Sequence, residues 1–191
     1  MNDVKRLPLT PENMRRTLDG AKTMTRRVIL PQPEVVHERN RLYANGREIR
    51  PKYVPGDVAM LTSTWAVDEG YDDYKPTELS PHDAGKLFWL SGDGGPKPLW
   101  AGKSRPAMFA PLALADFFPK ARITAVKVER VQNISVADMV AEGLVSTLRE
   151  HDAVCDLRDQ WIALWDSINA KRGYGWDANP WVFAYTYEVV R

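Results

Sequence analysis

The chain of 191 residues is 44% hydrophobic, which is enough to bury the core of one domain, or of one domain with large insertions. Its formal net charge of only +1 excludes a uniformly basic protein that coats nucleic acid. The single cysteine, Cys155, excludes an intrachain disulfide and favours a reducing compartment.

Positive charge is concentrated at the start of the chain. Residues 1–30 contain seven Lys or Arg against three Asp or Glu. Such a patch is able to hold a phosphate or a polynucleotide, and an ordinary solvated face is the alternative. The N-terminus has no apolar signal core, and no apolar run approaches the roughly 20 residues of a membrane span. We therefore expect a cytoplasmic protein without a membrane partner.

The histidines do not predict a metal site. His37, His82 and His151 show no metal-ligand spacing with one another or with Cys155. We predict no metal and no cofactor. A carboxylate-bound magnesium ion stays open as the alternative, because such sites leave weak sequence signals.

A short helix is predicted from about residue 11 to 19. Thr10 is a good N-cap, proline and glutamate follow it, and Gly20 suits a C-terminal cap. The helix leads directly to Lys22, and a strand is predicted over residues 27–30.

A hairpin insertion is predicted at about 36–52, because Asn45-Gly46 is the strongest two-residue hairpin signal. Residues 58–65 predict a core strand. Residues 68–106 mix Gly, Pro and acidic residues, which indicates a long loop insertion with a helical turn near 81–87.

The last third of the chain alternates strands and helices. Residues 122–130 alternate as a strand, and Ser135 starts a helix that leaves Glu142 at its C-terminal edge. Residues 156–170 predict an amphipathic helix, and residues 181–189 predict a closing strand with one buried face. This order predicts an α+β fold around a small, mostly antiparallel β-barrel with flanking helices.

The stretch that begins at Gly20 and includes Lys22, Thr25 and Arg26-Arg27 resembles the Gly-x-Lys-x-x-Thr-x-Arg signature of ASCH domains. Further landmarks follow in the same order as in ASCH-type proteins of phages and prophages: Gly56-Asp57, Trp65, Ala141-Glu142-Gly143, Trp165-Asp166-Ser167-Ile168-Asn169 and Asn179-Pro180-Trp181-Val182. The resemblance implies a single PUA-like domain over residues 1–191, in the host cytoplasm if the chain is phage-encoded.

The resemblance also implies recognition of RNA or of a modified nucleoside or nucleotide. Related small amidohydrolases remove the acetyl group from N4-acetylcytidine, which implies that Thr25 is a nucleophile activated by Lys22, with Glu142 as the third catalytic residue. The remaining members of the expected site are the substrate-binding residues Arg26, Arg27, Ser63, Trp65 and Arg122. The alternatives are a ribonuclease, and a non-catalytic phage accessory or protein-interaction factor that uses the 68–106 loop.

The hypothesis that Thr25 is a nucleophile activated by Lys22 has two physical requirements. Lysine acts as a base only when burial or nearby positive charge lowers its pKa. Residues i and i+3 of a straight strand point to opposite faces, so Lys22 and Thr25 meet only if the backbone between them is irregular. Thr62 and Ser63 stand where phage-type relatives carry Arg-Glu, and we expect a less polar pocket wall as a result.

Overall fold

The computed structural model describes residues 4–37, 41–82, 88–89 and 97–190. The helices and strands of this part of the chain are, in order, β1 (Lys5–Pro8), α1 (Pro11–Leu18), β2 (Met24–Val28), β3 (Val35–His37), β4 (Arg41–Ala44), β5 (Arg47–Ile49), β6 (Val58–Thr62), β7 (Trp65–Ala66), β8 (Phe88–Trp89), β9 (Lys120–Arg130), α2 (Val136–Ala141), α3 (Glu150–Asn169) and β10 (Trp181–Val190). The predicted turn near 81–87 lies mostly outside the described residues.

The main sheet is mixed and has five strands in the order β1-β6-β9-β10-β2. β1 pairs with β6 in parallel, whereas β6 with β9 and β10 with β2 are antiparallel. Two small antiparallel sheets, β3-β4-β5 and β7-β8, complete the described strands. The α+β class is confirmed. The described strands do not close into a barrel, because β1 and β2 remain the edges of the main sheet.

The chain forms two compact units. The first consists of residues 1–20, 57–122 and 188–191, and the second of residues 21–56 and 123–187. Within the described residues, no helix is both long enough and apolar enough to span a membrane.

The first unit begins with β1, which the sequence did not predict, and α1. The Thr10 side chain accepts a hydrogen bond of 3.2 Å from the Asn13 N–H and starts α1 as predicted. The predicted strand over 58–65 is instead interrupted after Thr62 and resumes as β7. Parts of the long loop are packed, since Leu79 belongs to the buried core with Trp65 and Val67, and Tyr71 packs against it. The loop therefore contributes to the core of its unit.

The second unit contains the confirmed hairpin, in which Asn45 and Gly46 both have positive φ angles, of 50° and 70°. Helix α3 begins at residue 150, ahead of the predicted start, and its tryptophans pack in a core with Val182 of β10. The prediction of one buried face for β10 is wrong. Val182 on one face and Phe183 on the other are both buried, because each face packs against apolar side chains.

Candidate functional site: a buried ion cluster in the second unit

The segment that carries the sequence motif changes from irregular backbone to strand. Lys22 and Thr23 have no regular structure, and β2 begins at Met24, ahead of the predicted start at residue 27. The Thr23 N–H donates to the Ala141 carbonyl at 2.8 Å, and the Thr23 carbonyl accepts from the Tyr187 N–H at 2.9 Å. These two bonds fix the segment against both the end of α2 and strand β10.

Glu142 lies directly after α2, at the helix C-cap. Ser135 caps the other end by accepting from the Asp138 N–H at 3.1 Å, and Gly143 ends the helix with a φ of 91°. Lys22 Nζ donates to the Glu142 carbonyl at 2.9 Å and to its Oε2 at 2.5 Å. The ammonium group therefore meets both the carboxylate and the negative end of the helix dipole.

Arg26, in β2, binds the same carboxylate. Its Nη1 lies 3.2 Å from Glu142 Oε1, and its Nη2 lies 2.7 Å from Asp138 Oδ2. Its Nε and Nη2 contact Glu129 Oε1 at 2.8 and 2.7 Å. One guanidinium group thus joins β2 to β9 and α2. We call the set Lys22, Arg26, Glu129, Asp138 and Glu142 the ion cluster.

The ion cluster is almost closed to solvent. Lys22, Arg26 and Glu142 are buried, while the side chains of Glu129 and Asp138 are only 15% and 13% exposed. Replacing a buried ion pair by well-packed apolar side chains is often neutral or stabilising, so stability alone does not require such a cluster. The ion cluster is therefore a candidate for a role other than stability.

An indole group lies beside the ion cluster. The Arg26 guanidinium carbon is 5.7 Å from the centre of a Trp161 ring, and Trp161 is buried. Its Nε1 has no hydrogen-bond partner within the part of the chain that the structure describes. A buried donor without an acceptor is costly, which makes this atom a candidate contact for a ligand oxygen.

Thr25 and Arg27 lie on the other face of β2. Neighbouring strand residues point to opposite faces, and Arg26 reaches the ion cluster. In the ladder with β10, Thr25 is opposite Tyr185. Burial raises the pKa of Tyr53 and of Tyr185 to about 12 each, and the Arg27 guanidinium opposes both pKa shifts. The structure thus brings Lys22, Arg26 and Glu142 together and gives Thr25 and Arg27 different surroundings.

The other expected substrate-binding residues belong to the first unit. The Trp65 Nε1 donates to the Pro106 carbonyl at 3.1 Å. The guanidinium carbon of Arg105 lies over the Trp65 ring, 5.2 Å from its centre. Ser63 is buried, and its hydroxyl has no partner among the described residues. Arg122 is half exposed and pairs loosely with Glu188 at 3.6 Å. The structure does not place these three residues in the ion cluster.

Sequence reasoning missed Glu129, Asp138 and Trp161 as site residues. The sequence predicts a strand over 122–130, a helix that begins at Ser135 and an amphipathic helix over 156–170, and these elements contain Glu129, Asp138 and Trp161 respectively. Each interpretation is correct locally, and no local pattern indicates that all three meet Arg26. Among the described residues, no group of three or more His, Cys, Asp or Glu is arranged to hold a metal ion.

No family model matches the chain, and no curated protein matches it. A solved structure from Enterococcus faecalis V583, of family DUF984, is similar with 12% identity and a TM-score of 0.48 and covers 100% of this chain and 82% of that chain. An ASCH domain from Lactobacillus crispatus JV V101 is similar with 10% identity and a TM-score of 0.40, over 92% of this chain and 69% of that chain. The second belongs to the family that the sequence motif resembles.

Proposed function

We propose that the chain binds a nucleotide or a single-stranded RNA segment, and that the second unit recognises a nucleobase at the ion cluster. The observation that carries this proposal is the buried excess of polar groups. Five charged side chains and the Trp161 Nε1, which has no partner among the described residues, occupy a region where packing alone favours apolar side chains.

The ion cluster offers groups that complement the edge of a base. Glu129 and Asp138 are its partly exposed members, and their carboxylates accept hydrogen bonds from a donor such as an exocyclic amino group. The Trp161 Nε1 requires an acceptor, which a base carbonyl supplies. Lys127, whose side chain is 57% exposed and lies 3.9 Å from Asp138, is placed to contact a phosphate at the edge of the cluster.

Two observations favour binding over hydrolysis of an N4-acylated cytidine. Hydrolysis needs a neutral lysine that accepts the threonine proton, whereas a carboxylate 2.5 Å from Lys22 stabilises its ammonium form. Thr25 and Arg26 are neighbours on β2, so their side chains point to opposite faces of the strand. We therefore assign Lys22 and Glu142 a role in recognition and positioning, without a covalent step.

Fluorescence anisotropy with a labelled, cytidine-rich RNA of about 12 nucleotides tests the proposal. We expect saturable binding that weakens as salt rises, because phosphate contacts release counterions. Glu142→Gln and Trp161→Phe should each weaken binding about five- to tenfold, which corresponds to one lost hydrogen bond. Lys171→Ala, a change of an exposed cation in the same unit, is the control. Absence of RNA and nucleotide binding, or equal affinities of all four proteins, would overturn the proposal.

Hydrolysis is tested separately by incubation with N4-acetylcytidine and detection of released acetate. We expect no release above that of buffer. Release by the wild type that disappears in both Lys22→Ala and Thr25→Ala would instead establish the amidohydrolase alternative.

A further inference from the structure

A groove in the first unit has no part in the proposed nucleotide site. It has a volume of about 710 Å³ and is formed by β1, a short turn over Pro76–Glu78 and two successive turns over Ala107–Phe109 and Leu112–Phe117. Pockets of roughly 300–1,000 Å³ with apolar linings are typical small-molecule sites. The size of the groove therefore suits a ligand of small-molecule dimensions.

The walls of the groove expose large apolar side chains. Met108, Phe109 and Leu112 line it and are 65%, 56% and 39% exposed. Three such side chains together are unfavourable in water and mark a binding surface when they are contiguous. Methionine adapts its shape to a ligand, and a phenylalanine ring offers a flat apolar face.

The polar part of the groove is cationic. Arg6 and Lys75 line it, and no Asp or Glu occurs among the lining residues that the structure describes. The Arg6 Nε donates to the Ala110 carbonyl at 2.6 Å, which holds the guanidinium against the wall that carries Phe109. Glu78 is close in sequence, but its carboxylate accepts from the Lys75 backbone N–H at 2.8 Å and so caps the turn.

We infer that this groove binds a small organic anion with an apolar or aromatic body. The apolar body contacts Phe109 and Met108, and the carboxylate or phosphate lies against Lys75 and Arg6. Opposite charge at the end of an apolar groove fixes the orientation of such a ligand. The site is independent of the ion cluster, since every residue named here belongs to the first unit.

Isothermal titration calorimetry with two probes of the same shape tests the inference. The probes are 1-naphthoate, an anion, and protonated 1-naphthylmethylamine, a cation. We expect the anion to bind at least tenfold more tightly than the cation. Phe109→Ala and Lys75→Glu should each weaken naphthoate binding at least fivefold, because one removes the apolar contact and the other reverses the charge.

The matched controls are Leu99→Ala, which truncates a fully exposed apolar side chain, and Lys103→Glu, which reverses an exposed charge outside the groove. Both belong to the same unit and should bind naphthoate as the wild type does. All four changes lie at the surface, and circular dichroism verifies that each variant is folded. No detectable naphthoate binding, equal affinity for the two probes, or equal weakening by the control variants would each overturn the inference.

Discussion

Lys22 and Glu142 are 120 residues apart in the chain, yet their side chains form a buried ion pair with an Nζ–Oε2 distance of 2.5 Å. The same carboxylate also accepts from Arg26. A loop before a strand and the C-cap of a helix are thus connected by charge.

Removing the carboxylate should be strongly destabilising. Glu142→Ala removes the carboxylate from the buried Lys22 ammonium group, and we expect the free energy of unfolding to fall by about 3–5 kcal/mol. Urea denaturation measures this change. Glu12→Ala is the control, because Glu12 pairs with Arg16 on the surface of α1 and such pairs contribute about 0–1 kcal/mol. Similar losses in the two variants would contradict a buried, mutually dependent pair.

Arg26 should not be replaceable by lysine. Its guanidinium contacts three carboxylates through a planar fork of N–H donors, whereas a lysine ammonium is a compact point charge that lacks this fork. We expect Arg26→Lys to lower the free energy of unfolding by about 2–3 kcal/mol, since each charge-assisted hydrogen bond contributes about 1.5–3 kcal/mol. Arg122→Lys, at a half-exposed position 3.6 Å from Glu188, should change it by less than about 0.5 kcal/mol. If the two variants lost equal free energy of unfolding, the three carboxylate contacts of Arg26 would not matter for stability.

Two neighbouring tryptophans of α3 form a natural comparison. The Trp165 Nε1 donates to the Tyr174 carbonyl at 2.8 Å, whereas the Trp161 Nε1 has no partner among the described residues. Both side chains are buried, so Trp→Phe removes a similar volume from each. We expect Trp165→Phe to be more destabilising than Trp161→Phe by about 1 kcal/mol, the usual contribution of one hydrogen bond. The reverse order in thermal or urea unfolding would mean that the Trp161 N–H is satisfied in the folded protein.

Alkaline pH should destabilise the second unit through its buried tyrosines. Burial raises the pKa of Tyr53 and of Tyr185 from 10.0 to about 12. The unfolded chain ionises first, so the stability contribution is complete below pH 10 and is lost as the pH rises from about 10 to 12. Tyr53→Phe should reduce this loss. The measurements are urea midpoints against pH and the phenolate absorbance near 295 nm. Phenolate formation by both residues at pH 10 in the folded protein would contradict the prediction.

The sequence was sufficient where a local rule decides the structure. Helix α1 lies between Thr10 and Gly20, and α2 lies between Ser135 and Gly143. Asn45-Gly46 forms the hairpin turn. These features depend on capping bonds and on φ angles within a few residues. The predicted α+β class follows from the same local signals.

The predictions were wrong where contacts between residues far apart in the chain determine the structure. β2 begins at Met24 because its ladder with β10 extends to the pair Met24–Thr186, and no property of residues 24–26 alone reveals that pairing. The barrel prediction was wrong for the described strands, since strand number and order depend on long-range pairing. Glu129 and Arg26 are 103 residues apart in the chain. The alternating pattern of the strand that contains Glu129 does not reveal their contact.

The Gly56 N–H donates to the Ile123 carbonyl at 2.8 Å. The chain therefore leaves the second unit and returns to it at almost the same point. Residues 57–122 form an insertion between two segments of the second unit, 21–56 and 123–187. All five members of the ion cluster lie in those two segments. A shortened gene that joins Gly56 to Ile123 through a tight turn would retain the complete ion cluster, and natural variation in length should be easiest to accommodate at this junction.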